Sequence, residues 1–112
     1  MKFFLIAVLI MGLYSCSKQE NQNVNVDCSG PAKSFATDVM PVLQTTCNDD
    51  SGCHGSGSSN GPGPLLNYTE VFNARLSIRS AVASGAMPLN AHLTASQKNA
   101  ILCWIDNGAV NN

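Results

Sequence analysis

Charge is scarce in this chain: 12% of its 112 residues are Asp, Glu, Lys or Arg. Six cations against seven acids leave a net charge of -1. Nucleic-acid binding rests on a concentrated basic surface that neutralises phosphates, and six cations over this length supply none. Histidine occurs twice, at His54 and His92, and tryptophan once, at Trp104. The longest apolar run, Phe3 to Tyr14, holds twelve residues and is broken only by Gly12. A bilayer span needs roughly 18 or more, so this run cannot cross a membrane as a helix. No stretch of four or more residues alternates apolar with polar, so no strand is predicted, and no internal repeat is visible.

Cysteine is the residue in supply, with five. The first lies at the end of a short apolar run that opens with Lys2, the pattern of a signal segment over residues 1–15. Its last residues, Leu13-Tyr14-Ser15-Cys16, resemble the bacterial lipoprotein processing box, in which cleavage precedes a cysteine that is then lipidated. Lipid on Cys16 anchors a protein to a membrane of the bacterial envelope, on its periplasmic or surface face, without spanning it. The alternative is an ordinary cleaved signal that leaves Cys16 as a stray thiol. Residues 16–33 are polar and rich in Ser, Asn and Gln, which predicts a flexible tether. One domain of 79 residues then remains, 34–112. A core that small is marginal unless a disulfide, a metal or a cofactor staples it. Export puts Cys28, Cys47, Cys53 and Cys103 in an oxidising compartment, where two disulfides, or one disulfide and one cofactor-bound pair, would use all four.

The domain reads as all-α. Ser34 is a good N-cap, and Phe35, Val39, Val42 and Leu43 follow at offsets of four, seven and eight, one helical face running to about Thr46. Pro41 falls inside that pattern and predicts a kink or a division into two short pieces. Residues 48–64 are loop by composition, dense in Gly, Ser, Asn and Pro. A second helix is predicted after Thr69, with Glu70 in its first turn, ending at Gly85. Thr94 with Gln97 forms the pattern of a capping box, and Ile101, Trp104 and Ile105 follow at helical spacing up to Gly108.

The chemistry concentrates at Cys47-Asn48-Asp49-Asp50-Ser51-Gly52-Cys53-His54. A cysteine pair ending in Cys-His is what haem c attachment needs: both thiols add to the haem vinyl groups and the adjacent histidine is placed under the iron. The usual spacing has two residues between the cysteines, and this chain has five, 48 to 52. A Cys47–Cys53 disulfide beside an incidental histidine accounts for the same residues. Zinc is a third reading, although its cysteine pairs are typically closer.

Over residues 35–110 the chain resembles small bacterial monohaem c-type cytochromes of the class I kind, especially lipoprotein-anchored ones with enlarged cysteine spacing. The helix from Phe35 to Cys47 leads directly into the motif, as in that family. Gly63-Pro64-Leu65-Leu66 is similar to its glycine-proline-x-leucine segment, Gly85-Ala86-Met87-Pro88 to its methionine-bearing distal loop, and Ile101 to Ala109 to its last helix.

This resemblance implies a fold of three to four helices around one covalent haem c on Cys47 and Cys53, with His54 as proximal and Met87 as distal iron ligand. It implies that the Pro64 carbonyl accepts the hydrogen bond of His54 and that Leu66 packs on the haem face. Tyr68 is a candidate partner for a haem propionate. His92 and Met40 are the competing distal ligands, but a surface histidine and a packed helical methionine are the plainer assignments. Arg75 and Arg79 read as a solvated face and Trp104 as core. With Cys47 and Cys53 given to haem by the resemblance, Cys28 and Cys103 remain, and export favours a disulfide over a buried free thiol at Cys103. The implied function is that of a monomeric electron carrier, not an enzyme, passing single electrons to redox partner proteins. The alternative is a non-redox envelope lipoprotein, stapled by two disulfides, acting as a binding or structural module.

Overall fold

The computed structural model describes residues 26–112, so the signal segment, Cys16 and the start of the tether lie outside the described residues. The described chain is helical, with no strand among its residues. Ser34 opens the first helical segment: its Oγ accepts the Thr37 N–H at 3.3 Å, and the Asp38 carboxylate accepts the Ser34 N–H at 2.7 Å. Phe35–Val39 winds as a wide π-helical turn, and helix α1, Met40–Thr46, continues from it. The change of winding comes just before Pro41, which has no N–H to donate and whose ring crowds the carbonyl four residues back in a regular helix. The division expected at Pro41 is therefore present. Asn112 completes this start, its Oδ1 accepting the Phe35 N–H and its backbone carbonyl the Ala36 N–H, each at 2.9 Å.

Helix α2 is Tyr68–Ser84. It begins two residues earlier than the Thr69 cap predicts, because Asn67 caps it. The Asn67 side chain accepts the Glu70 N–H at 3.0 Å, and the Glu70 carboxylate reaches back to the Leu66 N–H at 2.7 Å. The helix stops at Gly85, whose φ of +77° is the left-handed conformation that glycine adopts without a Cβ penalty. Helix α3, Ala95–Asp106, carries the full capping box: Gln97 N–H to Thr94 Oγ1 at 3.1 Å, and Thr94 N–H to Gln97 Oε1 at 2.9 Å.

These pieces meet around aromatic rings. Phe35 lies 5.3 Å from both Tyr68 and Trp104, centroid to centroid, which packs the first helical segment against α3. Trp104 is buried and gives its indole N–H to the Val110 carbonyl at 2.8 Å, so its one side-chain donor is paired. Arg79 joins α2 to α3 through a two-point ion pair with Asp106, at 2.6 and 2.9 Å, on the solvated side of both helices. Arg75 lies over the Phe72 ring at 3.9 Å. Cys28 and Cys103 form the expected disulfide, with Cα atoms 5.5 Å apart. The last part of the predicted tether is thereby fastened to α3, and Val26 packs against the core beside it.

Candidate cofactor site

The site is assembled by the loop that leaves α1. Cys47 is the C-cap of α1 and sends its N–H to the Leu43 carbonyl at 2.9 Å. The five residues between the cysteines close on themselves through Asp50. Its carboxylate accepts the N–H groups of Gly52 and Cys53 at 2.7 and 3.1 Å, and its carbonyl accepts the Gly55 N–H at 2.8 Å. The ends of the loop consequently stay together despite its length, and the His54 N–H reaches the Cys47 carbonyl at 2.9 Å. Gly55 permits this closure. A Cβ at that position would stand 2.7 Å from the Asp50 carbonyl oxygen and 3.0 Å from that of Asn48.

His54 is buried and held at three points. Besides its N–H, its carbonyl accepts the Leu65 N–H at 2.9 Å, and its Nδ1 lies 2.9 Å from the Gly63 carbonyl oxygen. A carbonyl can only accept, so Nδ1 carries the proton and the lone pair of Nε2 is left for a ligand. Such an oriented imidazole is the usual arrangement behind a metal-bound histidine. Asn48 ties the same two stretches together by giving its Nδ2–H to the Leu65 carbonyl at 2.6 Å.

Two adjoining cavities of about 350 and 410 Å³ share Cys47, His54, Gly61 and Met87 in their walls. Each is of the size found for small-molecule and cofactor sites. The first is otherwise mostly apolar, walled by Leu43, Leu65, Ile78 and Val82, with Ser77 its one further polar residue. The second adds the exposed Cys53 and the Pro88-Leu89 stretch. Met87 is delivered by the chain just past Gly85, where its N–H turns back to the Ala81 carbonyl at 3.1 Å. Cys47 and Cys53 are both free thiols. Burial pushes the Cys47 thiol up, partly opposed by a contact with the Thr46 hydroxyl at 3.4 Å.

Four expected residues, Cys47, Cys53, His54 and Met87, thus come together at these cavities. Three others stand differently. The acceptor for His54 is the Gly63 carbonyl, not that of Pro64, and the leucine on the wall is Leu65, 3% exposed, while Leu66 is 41% exposed. The segment is read one residue too late by the Gly63-Pro64-Leu65-Leu66 alignment; the spacing of acceptor and leucine is kept. Tyr68 does not reach the cavities. Its hydroxyl donates to the Ala109 carbonyl at 2.9 Å and its ring sits among Phe35, Phe72 and Trp104. His92 is exposed and Met40 packs on the core, as the plainer assignments had it. Asn48 and Gly55 also carry the geometry and were not picked out from the sequence, where nothing separates them from other loop residues; Gly63 and Leu65 were named within their segment but without these roles. Among the described residues no group of three or more His, Cys, Asp or Glu side chains is arranged to hold a metal ion. Compared with family models, curated proteins and solved structures, the chain matches none of them.

Proposed function

We propose that residues 34–112 form a small monohaem c domain with a class I cytochrome-like fold, and that lipid on Cys16 anchors it to a bacterial envelope membrane as a carrier of single electrons. One observation carries this reading: His54 donates Nδ1–H to the Gly63 carbonyl and lines, together with Met87, both lobes of the cavity. Imidazole with thioether is a donor pair suited to haem iron, and the neutral sulfur favours the ferrous state. The apolar lobe formed by Leu43, Leu65, Ile78 and Val82 suits the face of a macrocycle. The two free thiols beside His54 suit its attachment, since each S–H adds across a vinyl double bond, sulfur to one carbon and hydrogen to the other, with nothing released.

Bound haem supplies a one-electron couple. The chain's own residues do the rest. His54 would be the residue to hold the iron through Nε2, since its Nδ1–H is committed to the Gly63 carbonyl. Leu65 and Ile78 are buried along one wall and would shield the group from water, which would favour its less charged redox state. The Cys28–Cys103 bond fixes the point where the tether joins the domain.

The test is the intact mass and colour of the mature protein purified from its native host. The lipidated polypeptide plus one haem is expected, red after acid–acetone extraction, with the weak far-red sulfur-to-iron band lost in Met87→Ala. A mass explained by polypeptide, lipid and disulfide alone refutes the haem reading and leaves the stapled structural lipoprotein.

A further inference from the structure

We propose that Asn48, inside the enlarged cysteine loop, is the positioning residue that sets the proton of His54. The inference rests on the haem reading for its purpose, but its geometry stands on the polypeptide alone. Asn48 is itself anchored, since its backbone N–H bonds the Leu43 carbonyl at the end of α1 at 2.9 Å. From there its Nδ2 reaches 2.6 Å to the Leu65 carbonyl. Leu65 answers with its own N–H to the His54 carbonyl at 2.9 Å, and His54 closes the circuit through its N–H to Cys47, the neighbour of Asn48. Two residues before Leu65 stands Gly63, the acceptor of Nδ1–H.

Gly63 has a φ of +97°, a backbone conformation open to glycine and costly for other residues, and its own N–H is held by the Asn60 carbonyl on the side that precedes it. On the side that follows, where its carbonyl faces the imidazole, the stretch is held by Leu65, fastened through its N–H to His54 and through its carbonyl to Asn48. Removing the Asn48 donor releases the Leu65 carbonyl and lets Gly63 swing away from the imidazole. The proton of His54 is then no longer held on Nδ1, and the Nε2–H form, which leaves Nε2 no lone pair for a ligand, becomes populated.

A second observation separates this role from packing. The Asn48 Oδ1 is buried and has no hydrogen-bond partner. A buried acceptor left unpaired is a cost that an apolar side chain would avoid. An asparagine here therefore loses on one side of its amide, and the return lies in the Nδ2 bond to Leu65.

The experiment uses the full chain, made without haem attachment, and reads the His54 tautomer from long-range ¹H–¹⁵N correlations of the ring. Wild type is expected to show Nδ1–H alone. Asn48→Asp, which keeps the shape and loses the donor, and Asn48→Leu, which also removes the unpaired oxygen, are expected to show both tautomers with helical circular dichroism unchanged. Retention of the single Nδ1–H form in either folded variant overturns the proposal. So does rapid exchange of the Asn48 carboxamide protons in wild type, a measurement that needs no variant to fold. In haem-loaded protein the same substitutions should raise the reduction potential, because a weaker Nδ1–H bond lowers imidazole basicity. A tautomer change in a chain that never takes haem leaves the Asn48 inference standing and defeats the haem reading instead.

Discussion

Cutting the Cys28–Cys103 bond tests how this small domain is held together. The two cysteines are 75 residues apart in sequence. A cross-link closing a loop of that size removes denatured-state entropy worth about 4 kcal/mol at room temperature. Their Cα atoms lie 5.5 Å apart, inside the range that a disulfide spans without moving the backbone. Cys28→Ser is the informative substitution, because Cys28 is exposed whereas Cys103 is 1% exposed. Serine at 28 stays in water, and the remaining Cys103 thiol packs as a small apolar group. Both proteins are compared by urea denaturation in the same cofactor state. With a slope of roughly 1–2 kcal/mol per molar for a chain this size, the midpoint should fall by about 2–4 M. A domain whose total stability is near the lower end of the usual ~5–15 kcal/mol would be left barely folded. A midpoint lower by less than about 0.5 M, at unchanged slope, would refute the reasoning. It would mean either that the denatured chain is already compact around this link or that the link adds nothing.

Two other outcomes follow from the site. Gly55→Ala forces a methyl group against two backbone carbonyls that cannot move independently, and should destabilise the domain by about 1–3 kcal/mol; a thermal melt within a degree of wild type would contradict the loop closure around Asp50. In the haem-free chain, iodoacetamide should label exposed Cys53 before Cys47, whose thiol is pushed up by burial, and the Cys47 rate should climb only as pH rises past the ordinary thiol range. Peptide mass mapping against time reads the order, and equal rates near neutral pH would deny Cys47 its buried setting.

The features that were legible in the chain are those decided within a few residues. Thr94 and Gln97 find each other across one turn, Gly85 ends α2 through its own backbone freedom, and Pro41 divides the first helical segment through a donor it lacks. Cys47, Cys53 and His54 announce themselves as residue types whose chemistry is unusual at that spacing. Repetition defeated the reading elsewhere. Gly63-Pro64 followed by Leu65-Leu66 offers two adjacent leucines, and composition alone cannot say which of them faces inward. The tertiary fold decides it: the Leu65 N–H is claimed by the His54 carbonyl and the Leu66 N–H by Glu70 at the start of α2, so the first leucine turns to the cavity and the second to solvent. Thr69 was read as the cap of α2, and the Glu70 contacts with Asn67 and Leu66 place the start two residues earlier. Tyr68 was a candidate propionate partner through the resemblance, but its ring packs among Phe35, Phe72 and Trp104, and the Ala109 carbonyl takes its hydroxyl. The candidate site residues could be named from the sequence, because reactivity belongs to the side chain. Those that orient it could not, because a backbone carbonyl or a loop amide becomes an acceptor or a clamp only when distant segments are brought within 3 Å of it.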